Sequence, residues 1–125
     1  MAQIDEDAPA LAGIAAQAID VLNDATCSSV RHPGLRDLAD TEAVLVALTR
    51  LADELQDTSR NLTDYLLHQR ADGRLTGHDG SAATAGSAVE AASDALEQVR
   101  AAAAQMASLL TRAEVAMLAL APTRT

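Results

Sequence analysis

The chain has 125 residues, 49% of them hydrophobic, with a formal net charge of −9, one Tyr, and no Trp or Phe. That charge excludes the positive face that nucleic acid requires and disfavours anionic membrane surfaces. No stretch alternates apolar and polar residues at period two, which excludes a sheet and leaves an all-α core of Leu, Val, Met and Ala.

The first predicted helix covers about residues 9–25, opening at Pro9 behind the acidic Asp5-Glu6-Asp7, which complements a helix N-terminus. Leu11, Ile14, Ala18, Val21 and Ala25 form its apolar stripe. Residues 1–8 and 121–125 read as flexible ends. The loop from Thr26 to Gly34 holds Cys27, two serines and Pro33-Gly34. In it, Arg31-His32-Pro33-Gly34 reads as a capping loop, with His32 before Pro33. A single cysteine cannot form a disulfide within the chain, so a reducing, cytoplasmic setting is expected. The first residues lack the apolar run of a signal peptide.

The second predicted helix runs over about 35–70. Its seam is Leu38, Thr41, Leu45, Leu48, Ala52, Leu55, Ser59, Leu62 and Leu66, alternating steps of three and four. Val44, Leu51, Thr58 and Tyr65 widen the stripe beyond a two-stranded seam to a bundle-type face. A glycine-rich hairpin loop at 71–81 follows, with Ser81 or Asp79 placed to cap the next helix. Leu75 within it reads as a plug over the end of the bundle, the alternative being an exposed hook.

The third predicted helix covers about 82–120 and ends before Pro122. Its seam is Ala85, Val89, Ala92, Leu96, Val99, Ala103, Met106, Leu110, Ala113, Met117 and Leu120. Folding the two long helices back between Leu75 and Thr76 pairs seam with seam: Leu66 with Ala85, Leu62 with Val89, Leu55 with Leu96, and Leu45 with Met106. Most pairs set a large residue against a small one, as interdigitating layers require. Ala88, Ala92 and Ala95 are expected to let the helices approach closely.

The expected architecture is therefore all-α: a long antiparallel helical hairpin (about 35–70 and 82–120) plus a shorter N-terminal helix (about 9–25), a three-helix bundle in one domain spanning 1–125. Helix one is expected to lie beside Leu38 to Leu51, leaving the loop end of the hairpin without a third helix. Such a bundle is suited to dimerising into a larger one.

The chemistry-bearing residues form no catalytic constellation, and no cofactor is expected. His68, Asp72, His78 and Asp79 cluster around the loop and are the weak candidates for metal ligands; a site needs three or four converging donors. The plainer reading is a histidine complementing a helix C-terminus and another solvated in a loop. Acidic pairs such as Asp37 with Asp40 and Asp94 with Glu97 read as solvated faces. The leading expectation is a non-enzymatic helical interaction or adaptor protein that binds itself or another helical protein. The contact residues would be Leu55, Leu62, Tyr65, Leu66, Val89 and Leu96, and the protein would be a homo-oligomer. A small-ligand or metal-binding bundle is the second reading. The third is a secreted helical-hairpin effector without the usual export motifs. The small secreted WXG-type proteins of actinobacteria carry Trp-X-Gly at the bend, where this chain has Gly73-Arg74-Leu75-Thr76-Gly77. Their Tyr-three-residues-acid signal is missing too, since Tyr65 is followed by Leu-Leu-His and Gln69.

Overall fold

A computed structural model describes residues 7–123, and the expectations for residues 1–6 and 124–125 lie outside it. Among the described residues the elements are α1 (Ala8–Thr26), a short 3-10 turn (Ser28–Val30), α2 (Leu38–Ala71) and α3 (Ala82–Met117), with no strand. The all-α class, the N-terminal helix and the hairpin are as the periodicity predicts. Two compact units divide the chain, Met1–Thr41 and Glu42–Thr125.

In the first unit, Pro9 sits in the opening turn of α1, where its missing N–H costs nothing. The helix ends in a tightly bonded loop. Gly34 N–H donates to the Ala25 carbonyl (2.7 Å) and His32 N–H to that of Cys27 (2.8 Å). His32 Nδ1 lies 2.8 Å from the Thr26 carbonyl oxygen, so this nitrogen carries the proton and the ring caps α1. Arg31 and His32 both adopt left-handed backbone, φ 58° and 54°. A Cβ at Gly34 would stand 2.8 Å from the Ala25 methyl, so only glycine lets the chain pass this close. The Cys27 thiol lies 2.9 Å from Ser29 Oγ, and that bond holds it below the ordinary thiol range. No residue of α1 is buried.

α2 starts at Leu38, three residues later than expected. Asp37 Oδ1 accepts the Asp40 N–H (2.9 Å), and the Asp40 carboxylate accepts the N–H of Arg36 (2.8 Å). The pair that resembled a solvated acidic face thus caps α2, with Asp37 as N-cap and Asp40 reaching back to Arg36, one residue beyond the partner of a capping box. At the other end, Gly73 takes φ 69°, donating to the Arg70 carbonyl, while Arg74 N–H reaches that of Gln69. This is a Schellman termination.

The loop does not merely connect. Ser81 Oγ accepts the Thr84 N–H (3.1 Å) and caps α3. Asp79 supports it, accepting from Ser81 N–H (3.0 Å) and from the Thr84 hydroxyl (2.8 Å). Gly77 runs so close to Thr84 that a Cβ there would meet it at 2.5 Å. α3 leaves helical geometry after Met117, where Leu118, Ala119 and Leu120 bond three residues back instead of four.

The contact between α2 and α3 departs from the expected seam in two ways. Its centre is displaced. The midpoint between contacting residues falls at His78 for Arg70 over Gly86, at Gly80 for Arg70 with Glu90, and just past Ser81 for Thr49 with Glu114. The expected centre was between Leu75 and Thr76. Loop residues consumed in capping α3 account for the shift.

The inward stripe also follows a straight helix rather than a strict heptad. An unsupercoiled helix drifts about 20° per heptad from a seven-residue repeat. Accordingly Gln56, Thr63, Arg100 and Ala107 turn inward where Leu55, Leu62, Val99 and Met106 were expected, and those four are exposed. The contact is therefore built from Ala52, Ser59, Ala85, Gly86, Val89, Ala103 and Ala107, the residues that are buried. Among the described residues, no large side chain is fully buried. Close approach comes from these small residues. Ala88 and Ala95 are exposed and Ala92 is half-buried, so the expected alanines are not the ones that supply it.

Hydroxyls sit at this contact without cost because their own helix satisfies them. Ser59 donates to the Leu55 carbonyl, Thr63 to that of Ser59, and Thr111 to that of Ala107. Ser93 is the exception: its Oγ is buried without a partner among the described residues.

Candidate functional site

At 100° per residue, the side chains that rotate out of the contact all turn to one side of the hairpin. On α2 these are Leu51, Leu55, Thr58, Leu62 and Tyr65. On α3 they are Ala88, Ala92, Ala95, Val99 and Met106. Because the helices are antiparallel, the two rows face the same direction and form one strip. Leu55 is 38% exposed, Leu62 50%, Tyr65 61%, Val99 48% and Met106 40%. Single exposed leucines are ordinary; a continuous row on two neighbouring helices is not.

The charges lie elsewhere. Thr49 donates to Glu114 (2.9 Å), and Arg70 lies 3.9 Å from Glu90, both across the opposite side. Arg100 holds Glu97 with three bonds of 2.6–3.0 Å on that side, and this lowers the Glu97 carboxyl below its usual range. Arg60 adds a smaller electrostatic pull on the same carboxylate. Asp53, Asp57, Asp64 and Asp94 point to that side or to the back of their helices. Glu54, at the rim, is the one charge near the apolar strip between Leu51 and Tyr65. The charges of the hairpin thus keep to one side and the backs of its helices, a side on which Val46, Leu67 and Val115 are exposed as well.

At the loop end the strip runs into a shallow groove of about 280 Å³, lined by Leu66, Leu75, Thr76, Ala85, Ala88, Val89 and Ala92. Leu75 folds back as one of its walls, half-buried, which matches the plug expected of it.

Of the six contact residues expected from sequence, Leu55, Leu62 and Tyr65 lie open on the strip. Leu66 and Leu96 are half-buried at its inner edge. Val89 is only 4% exposed and belongs to the contact between α2 and α3. Sequence reasoning missed Val99 and Met106 as surface residues, having set them in the seam. A period of 3.6 instead of 3.5 applied over four or more turns separates the two assignments.

The four metal candidates are not gathered. Among the described residues no group of three or more His, Cys, Asp or Glu side chains is placed to hold an ion. Asp79 is engaged in capping α3, and its carboxyl is held below the usual range first by the Ser81 N–H and then by the Thr84 hydroxyl. His68, Asp72 and His78 are exposed. Among the described residues, no helix is long and apolar enough to cross a membrane. Comparison of the chain with protein-family models, curated proteins and solved structures finds no match.

Proposed function

We propose that this chain is a non-enzymatic helical interaction protein whose working surface is the uncharged side of the α2–α3 hairpin. One observation carries the reading. Leu55, Leu62, Tyr65, Val99 and Met106 are placed outside the helix contact on one side, where Glu54 at the rim is the one charge, while the contact itself is mostly alanine, glycine and hydroxyl residues around Val89. A hairpin arranged this way hides little of its own apolar surface and leaves a strip of the shape that a helix or helix pair covers. The protein would act as an adaptor or self-associating unit in a reducing compartment, the cytoplasm, where Cys27 stays a free thiol.

Site-specific photocrosslinking tests this. A photoreactive group at position 65 is expected to give protein adducts in cells, and Leu62→Arg in the same chain to abolish them. The same group at position 57, on the charged side, is expected to give none. Equal labelling from both positions would remove the uncharged side as the working surface.

A further inference from the structure

We infer that the occupant of the uncharged side is a second copy of this chain, packed face to face about a two-fold axis parallel to the helices. The inference rests on the reading of that side as an interaction surface and names its partner.

The strip is self-complementary in shape. At the loop end its α2 half carries the large side chains Leu62 and Tyr65 and its α3 half the small ones, Ala88, Ala92 and Ala95; further along, Leu55 lies on α2 and Val99 and Met106 on α3. A two-fold axis along the hairpin lays α2 of each copy over α3 of the other, antiparallel and level with it. Leu62 and Tyr65 of one copy then rest on Ala92 and Ala95 of its partner, beside the groove that Leu75 lines, while Leu55 meets Val99 and Met106. Ridge meets trough twice, as an isologous contact requires. The other face-to-face arrangement, with the axis across the helices, stacks α2 on α2 and sets large against large.

Charge agrees. A chain carrying −9 repels its own copy, so self-association needs a face free of carboxylates, and this is the side from which they are absent apart from Glu54 at its rim. Area agrees as well. The loop-end strip, from Ala88 to Met106, is roughly 28 Å long and two helices, roughly 20 Å, wide. Two such faces bury on the order of 1,100 Å² in total, just above the ~1,000 Å² expected of a specific interface.

Sedimentation equilibrium of the full chain, from low micromolar to several hundred micromolar and at two salt concentrations, tests the inference. The expected result is a dimer that tightens as salt screens the like charges. Leu62→Arg is expected to weaken it roughly a hundredfold or more, because the guanidinium would be buried unpaired. Leu62→Arg should keep the helical circular dichroism, since this side chain is half-exposed in the single chain. Arg60→Glu, on the charged side, should leave dimerisation intact. In a Cys27→Ser background, Leu62→Cys chains mixed with Ala95→Cys chains should form an intercopy disulfide, and Leu62→Cys chains alone should not. Crosslinking of Leu62→Cys with itself, or dimers untouched by Leu62→Arg, would overturn the arrangement. A monomer at every concentration would overturn the second copy as occupant. An environment-sensitive dye that binds such a monomer, and is lost in Leu62→Arg, would then leave the wider reading standing. No dye binding would end both.

Discussion

The contact between α2 and α3 and the uncharged side next to it are made of opposite materials. Ala52, Ser59, Ala85, Gly86, Ala103 and Ala107 fill the contact around Val89, while Leu55, Leu62, Tyr65, Val99 and Met106 line the side. In a self-sufficient bundle the larger side chains occupy the interior, because burying each Leu or Val contributes roughly 1.5–3 kcal/mol. Here that contribution is deferred to whatever covers the strip. The small interior instead gives close helix approach, and close approach leaves no room for substitution.

The largest expected effect exploits that difference. Ala52 is 0% exposed, so Ala52→Leu forces three extra carbons into a contact that cannot widen, and a loss of about 1–3 kcal/mol is expected from denaturant unfolding at high dilution. Under the same conditions Leu62→Ala, on the outer strip, should cost less than about 1 kcal/mol. A reversed order would mean that the leucines, not the alanines, hold the isolated hairpin together.

A smaller effect of opposite sign is expected at Ser93. Its hydroxyl is buried without a partner among the described residues, whereas Ser59 and Thr63 bond to their own helix. Removing an unsatisfied hydroxyl relieves a desolvation penalty, so Ser93→Ala should raise unfolding stability by about 1 kcal/mol. Ser59→Ala removes a satisfied group and serves as the control, with little or no gain expected.

Much of this architecture was legible in the residues. Breaks at Pro33-Gly34 and around Gly73, Gly77 and Gly80 bound the helices, and the three-and-four spacing identifies them. The strip was partly legible too, through Leu55, Leu62 and Tyr65. Ala52, Ser59, Ala85, Val89 and Ala103 of the expected seam are buried; what failed was the register, and the facing of Leu55, Leu62, Val99 and Met106. Assuming a seven-residue repeat places Val99 and Met106 inward, and only the accumulated drift of a straight helix turns them out. Composition alone cannot distinguish the two, since both periods fit any single pair of turns. Centring the pairing on the loop assumed that the loop is shared evenly between the helices. Asp79, Gly80 and Ser81 instead serve the start of α3. Beside the cap at Ser81, which was read, Asp37 with Asp40 was a cap that spacing could have revealed, an Asx residue followed three positions later by an acid.

The smallest effect expected is with pH, and it separates the helix ends from the strip. Asp79 is depressed by the Ser81 N–H and the Thr84 hydroxyl, and Asp40 by the Arg36 side chain and N–H. Both carboxyls are harder to protonate folded than unfolded, so the unfolded chain binds more protons in acid. Their contribution is complete above the unfolded Asp value, about 3.9, and declines as pH falls below it through the lower folded values. Asp79 is exposed, and Asp40, half-buried, pairs with the exposed Arg36, so the change at each is small. Thermal melts should therefore be flat with respect to these groups from pH 7 to 5 and fall below about pH 4. Asp79→Asn should remove part of that fall while leaving Leu62→Arg-sensitive association unchanged, because the strip between Leu55 and Tyr65 and between Ala88 and Met106 presents no carboxylate or histidine. If Asp79→Asn weakened association at neutral pH, the loop cap and the strip would be one coupled surface instead of two independent ones.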